Sequence, residues 1–220
     1  MDINTKIIPQ FLSDEELDIL ENHFLKTEDI HQNYNPGNFG GEVFSGTYYI
    51  IRYYEEKNKI VRDILQDKLE QFLHSDLKIQ QIHIFDCFDP YNVHSDIDSG
   101  GPILPDAPQH AWTLIIPLHD VNSHTVVFKE GSKIKQPIYY FEDAVPYPDM
   151  TIDTETYNKY FSHIPEHYFK YLTIESIFSW KRGSLFAADR HKFHTSDNFI
   201  ANGVKNKRAI IAWTSLPNLT

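Results

Sequence analysis

The stretch Tyr91-Asn-Val-His-Ser-Asp-Ile-Asp-Ser-Gly-Gly101 decides how the rest of the chain is read. It follows a β-rich run ending near Phe88, and its two glycines predict a loop. Within it His94 and Asp96 are two residues apart. On an extended segment such residues point the same way, so an imidazole and a carboxylate can face one ion. The spacing alone is not diagnostic, because His74-Ser75-Asp76 repeats it at the end of a helical pattern. There a turn or capping role is a sufficient explanation. Context favours His94.

Outward from this stretch, the chain divides by period. Before residue 79 the pattern is mostly helical. Ile7 to Phe24 reads as a short strand leading into a helix, with Ser13 and Glu16 as a capping box and Leu17, Leu20 and Phe24 on one face. Residues 47–54 read as a strand. From 55 to 72, Ile60, Val61, Ile64, Leu65, Leu69 and Phe72 recur at helical spacing, predicting a helix that braces a sheet. After residue 79 short β-rich runs take over, at 79–88, 111–118, 124–128, 184–188 and 208–215, separated by Gly, Pro, Asn and Asp. The pattern predicts a mainly β domain with supporting helices (α+β), a sandwich or jelly roll. One domain is expected over 1–220, with helical support in 1–78 and the β core in 79–220. A tyrosine- and phenylalanine-rich insert is expected at about 132–180, as a lid or a satellite core.

Composition limits the function classes. A net charge of −11 and a pI near 5.5 disfavour nucleic acid and anionic membrane as partners. The acid-bearing N-terminus has no apolar signal core, and no stretch reaches the length of a membrane span. The one cysteine, Cys87, sits in an apolar run, so a small buried hydrophobe is expected, and a cytoplasmic location fits. Oligomeric state is not readable.

A second cluster, Arg190-His191-Lys192-Phe193-His194, begins after another strand-like run, and Arg208 opens the last apolar strand, RAIIAWTS. Two histidines and one carboxylate on one face of a metal leave positions open for a cosubstrate and O2. An arginine one strand away can clamp a remote carboxylate bidentately.

The order His-x-Asp, TLIIPL, TVVF followed by Gly-Ser, Gly-Ser-Leu-Phe, a distal histidine in FHTSDNF and a late arginine resembles the Fe(II)/2-oxoglutarate-dependent oxygenase superfamily. The resemblance runs from about Ile79 to the C-terminus and is greatest to bacterial and phage members of the phytanoyl- and prolyl-hydroxylase-like type. It implies a double-stranded β-helix (cupin-like) fold, Fe(II), and 2-oxoglutarate as cosubstrate, with succinate and CO2 released. It further implies His94, Asp96 and His194 as ligands, with His194 preferred over His191. Arg208 would bind 2-oxoglutarate, joined by Thr113 and by Thr214, which alternation puts on the face of Arg208. Asp98 competes with Asp96 for the carboxylate position. A carboxylate ligand favours hydroxylation over halogenation. The expected substrate is a small molecule or a peptide. Two other classes remain open: a different metal enzyme, such as a zinc hydrolase on a similar barrel, and a non-catalytic jelly-roll binding module.

Overall fold

The computed structural model of the chain describes residues 4–26, 30–34, 46–51, 56–73, 78–96, 112–131 and 152–215. Two antiparallel sheets face each other. The larger contains, in spatial order, β1 (Lys6–Ile8), β8 (Leu185–Asp189), β5 (Trp112–Pro117), β10 (Lys207–Ser215), β4 (Lys78–Cys87), β3 (Gly46–Ile51) and β2 (Ile30–Tyr34). The smaller has β7 (Ile174–Ser179), β6 (His124–Gly131) and β9 (Lys192–Ser196). This is the jelly-roll architecture that the strand spacing predicts.

Helices α1 (Asp14–Lys26) and α2 (Lys59–Leu73) cover the outer face of the large sheet. α1 starts where it does because Ser13 and Glu16 cap each other. The Ser13 amide donates to the Glu16 carboxylate at 2.8 Å, and the Glu16 amide donates to the Ser13 hydroxyl at 3.2 Å. Leu17, Leu20 and Phe24 of α1, with Val61, Leu65, Leu69 and Leu73 of α2, pack on Ile82, Ile84, Leu114, Ile116, Ile210 and Ala212. Each such side chain contributes ~1.5–3 kcal/mol by leaving water. Ile60 and Phe72, read from sequence as part of the buried stripe, lie at its exposed margin. On the turn between β7 and β8, Arg182 ties α1 down, donating to Asp18 at 2.6 Å, Asp14 at 3.1 Å and the Leu118 carbonyl at 2.6 Å. The neighbouring Gly183 has φ +73°, and a Cβ there would stand 2.5 Å from the Leu12 carbonyl oxygen. Only glycine meets both demands.

Between the sheets lie Ile115, Val127, Phe178, Trp180, Phe186, Ala188 and Ala209. The aromatic-rich stretch expected as an insert is not uniform. Its first part, 132–151, lies outside the described residues. α3 (Thr154–Tyr160) and the 3-10 turn after it put Tyr160, Phe161, Ile164 and Phe169 into a core shared with Val126 and Phe128. Its last part is β7, a full partner of β6. Ile174–Ser179 escaped the sequence reading because its alternation is weak and aromatic residues precede it. β9 escaped because its apolar content is low.

Candidate metal centre

The two histidines are placed by strand pairing. After β4 the chain returns along β9, and His94 and His194 exchange backbone hydrogen bonds of 3.0 and 2.8 Å. Two residues on, the Asp96 amide donates to the Arg190 carbonyl at 3.0 Å, and the Arg190 guanidinium donates back to the Asp96 carbonyl at 3.1 Å. Arg190 is fully buried and also donates to the Thr214 carbonyl at 3.2 Å. Main-chain bonds on both sides therefore fix the loop that carries the His-x-Asp pair.

The side chains converge. Donor atoms of His94, Asp96 and His194 all lie within 4.8 Å of one another. Nε2 of His94 is 3.8 Å from one Asp96 oxygen, and Nε2 of His194 is 3.4 Å from the other. Each imidazole uses Nδ1 locally, on the Asn92 carbonyl at 2.7 Å and the Lys192 carbonyl at 3.2 Å. A carbonyl can only accept, so Nδ1 carries the proton and the Nε2 lone pairs point to the shared centre. Thr113 of β5 donates to Asp96 at 2.7 Å. Burial, with the neighbouring His194, takes His94 down to about 4, so it is neutral at ordinary pH. Burial also works against ionisation of Asp96, but the two imidazoles and the Thr113 hydroxyl outweigh it and hold the carboxyl below its usual value. A neutral His94 beside an ionised carboxylate is a protonation state that a divalent cation requires. These donors suit iron, and nothing in them demands it.

Other residues singled out in the sequence land differently. His74, Asp76 and Asp98 lie outside the described residues. His191 is not part of the cluster. Thr214 accepts from the Trp112 amide at 3.0 Å, filling a ladder position beside a bulge at Trp213/Thr214. Arg208 is not brought to the centre. On β10 the residues facing between the sheets are Lys207, Ala209, Ile211 and Trp213, whereas Arg208, Ile210 and Ala212 face the helices. Arg208 donates to Asp86 at 2.6 Å and lines a cleft with Asp18, Glu21 and Phe24 of α1. The sequence reading had the phase of this strand one residue out, because Ala209/Ile211 and Ile210/Ala212 are equally apolar.

The residue missed by that shift is Lys207. Its ammonium is buried between the sheets, donating to Ser196 at 2.6 Å and Ser123 at 3.2 Å, with the Trp180 ring centroid at 4.2 Å. It makes no ion pair among the described residues. Burial pushes it down to about 8. Ser196 lies two residues beyond His194 on the same face of β9, an advance of ~7 Å along a strand. A buried ammonium without a carboxylate, one pleat from a metal-binding cluster, fits the far end of a short dicarboxylate.

Solved structures of low sequence identity share this fold. A 2OG-Fe(II) oxygenase family protein from Burkholderia pseudomallei is 9% identical with a TM-score of 0.54, covering 97% of this chain and 85% of its own. SnoN, a non-heme alpha-ketoglutarate-dependent epimerase from nogalamycin biosynthesis, is 14% identical with a TM-score of 0.56, covering 96% and 78%. HygX from Streptomyces hygroscopicus, solved with nickel and 2-oxoglutarate, is 12% identical with a TM-score of 0.54, covering 98% and 83%. No protein-family model and no curated protein matches the sequence. No helix among the described residues is long and apolar enough to cross a membrane. The fold of this chain is that of the 2OG-Fe(II) oxygenases.

Proposed function

We propose that the chain is an Fe(II)- and 2-oxoglutarate-dependent oxygenase that hydroxylates a C–H bond of a small molecule or peptide. The observation that carries this reading is the cluster of His94, Asp96 and His194, with two Nε2 lone pairs and one carboxylate aimed at a single point. These three would hold the metal, with Thr113 fixing the rotamer of Asp96. Lys207, with Ser196 beside it, would receive the distal carboxylate of 2-oxoglutarate in place of Arg208. Bound Fe(II) and 2-oxoglutarate would supply oxidative decarboxylation by O2, giving succinate and CO2 and oxidising the substrate.

The chain's own part is to orient and to keep water out. Tyr91 packs its ring on His94 at 4.8 Å and Phe85 packs on Tyr91 at 5.9 Å, an apolar wall beside the centre. His83 stands edge-on to Trp213 at 5.0 Å on the same inner face.

Anaerobic addition of Fe(II) and then 2-oxoglutarate tests the proposal. A visible charge-transfer band is expected, absent in His94→Ala. Iron binding without a band would favour a different metal enzyme, and no metal binding would favour the binding module.

A further inference from the structure

Beyond the cluster, one buried acid has no part in holding metal. Asp197 is fully buried. One of its oxygens accepts from the Ser123 hydroxyl at 2.7 Å, and the other accepts from His124 Nδ1 at 2.9 Å and from the Asn202 amide at 3.3 Å. The proton of Ser123 is thus committed to Asp197, which turns its lone pairs towards the Lys207 ammonium. Serine here donates to the carboxylate and not to an imidazole, so this is no nucleophilic triad. Lys207 has three N–H donors, and Ser123 and Ser196 take two among the described residues. One is left.

We propose that Asp197 is a positioning residue for a dicarboxylate: acting through Ser123, it keeps the Lys207 ammonium charged and in place to receive the ligand. The assignment rests on the oxygenase reading, since the dicarboxylate is 2-oxoglutarate. Its physical basis is that a buried cation needs a counter-charge, and Asp197 supplies it one hydroxyl away. Other titratable groups face this pair. Cys87 is next to Lys207, but burial pushes its thiol up, so it stays neutral. Asp86 stands behind Cys87. His124 and His163 face Asp197, and burial takes His163 down to about 4, leaving it neutral as well. Asp197 is therefore the anion closest in effect to Lys207 within the sandwich. Burial opposes its ionisation, yet its hydrogen bonds to His124 and the charge of Lys207 hold it below the usual carboxylate range.

Two measurements test this. The first is NMR titration of the 13C-labelled lysine side chain in the metal-free protein, with Lys207→Met assigning the resonance. In Asp197→Asn, Lys207 should lose its proton at a pH lower by about one unit, a tenfold change in its equilibrium. The second is calorimetry of 2-oxoglutarate binding to the Fe(II)-loaded protein under anaerobic conditions from pH 6.5 to 9. Asp197→Asn should weaken binding about tenfold and move its alkaline loss to lower pH, with Fe(II) affinity unchanged. Ser123→Ala, a smaller change that leaves Asp197 and His124 in place, should act in the same direction by about threefold. In a Lys207→Arg background, whose guanidinium does not titrate in this range, Asp197→Asn should no longer move the alkaline limb. An Asp197→Asn protein that only melts at lower temperature, with the lysine titration and cosubstrate affinity unchanged, would overturn the assignment. A wild-type protein that takes up metal but no 2-oxoglutarate would instead overturn the functional reading, and the lysine titration would still decide whether Asp197 governs Lys207.

Discussion

His94 and His194 are joined twice, by a reciprocal pair of backbone hydrogen bonds and by ring centroids 4.3 Å apart at 53°. Residues 100 positions apart in the chain (194 − 94) thus stand as direct cross-strand neighbours, with both Nε2 atoms turned to Asp96. Removal of any of the three side chains breaks the donor set. His94→Ala, Asp96→Ala and His194→Ala should each lower Fe(II) affinity at least 100-fold, measured by anaerobic titration.

Thr113 should act on the metal without touching it. Thr113→Val removes the hydroxyl that donates to Asp96 and keeps the shape of the side chain. The carboxylate then gains rotational freedom, and Fe(II) affinity should fall 10- to 100-fold. Circular dichroism should show the fold intact.

Lys207 and Arg208 are adjacent in sequence and on opposite faces of β10, which gives a paired comparison. Lys207→Met should weaken 2-oxoglutarate binding by 100-fold or more, because it removes the ammonium proposed to receive the distal carboxylate. Arg208→Met should leave that affinity within threefold. Its cost should be about 1–3 kcal/mol of stability, because the buried Asp86 carboxylate loses its partly exposed cation. Calorimetry of both variants separates the two assignments.

The pH dependence of stability should carry the mark of His163. Both its ring nitrogens are buried, and burial takes it down to about 4. The folded state therefore resists a proton that the unfolded chain accepts near 6.5. Stability should be full above pH 6.5 and fall by roughly 3 kcal/mol from this group as pH drops towards 4. His94 is shifted the same way in the metal-free protein. Denaturant unfolding of His163→Leu should thus show a shallower slope than the wild type over that range.

Gly183→Ala should destabilise the chain by ~2–4 kcal/mol, since an L side chain there meets both a strained backbone and the Leu12 carbonyl. Thermal unfolding measures this. Metal affinity should hold, as the glycine lies beneath α1 and away from the cluster.

Much of this arrangement was legible in the residues. The capping box at Ser13, the helical stripes and the apolar runs around Leu114 and Val126 have short-range causes, and the structure follows them. The choice of His94 rested on its setting between a strand and a glycine loop, and the structure puts it with His194 and Asp96. Legibility failed where two answers have the same local pattern. Nothing in KRAIIAWTS says which alternate set turns inward, because both are apolar. Only the packing of Ala209 and Ile211 against Phe178 and Phe186 decides it. β7 and β9 were missed for a related reason. Their strand character comes from pairing with β6, a long-range contact that overrides modest local preference.

The cluster also straddles the sandwich. His194 and its bridge partner His94 belong to the small sheet, whereas Asp96 is held by Thr113 of the large one. An ion bound by all three would be a rivet through two plates. Its dissociation rate should therefore rise when the sandwich is loosened, as well as when a ligand is removed.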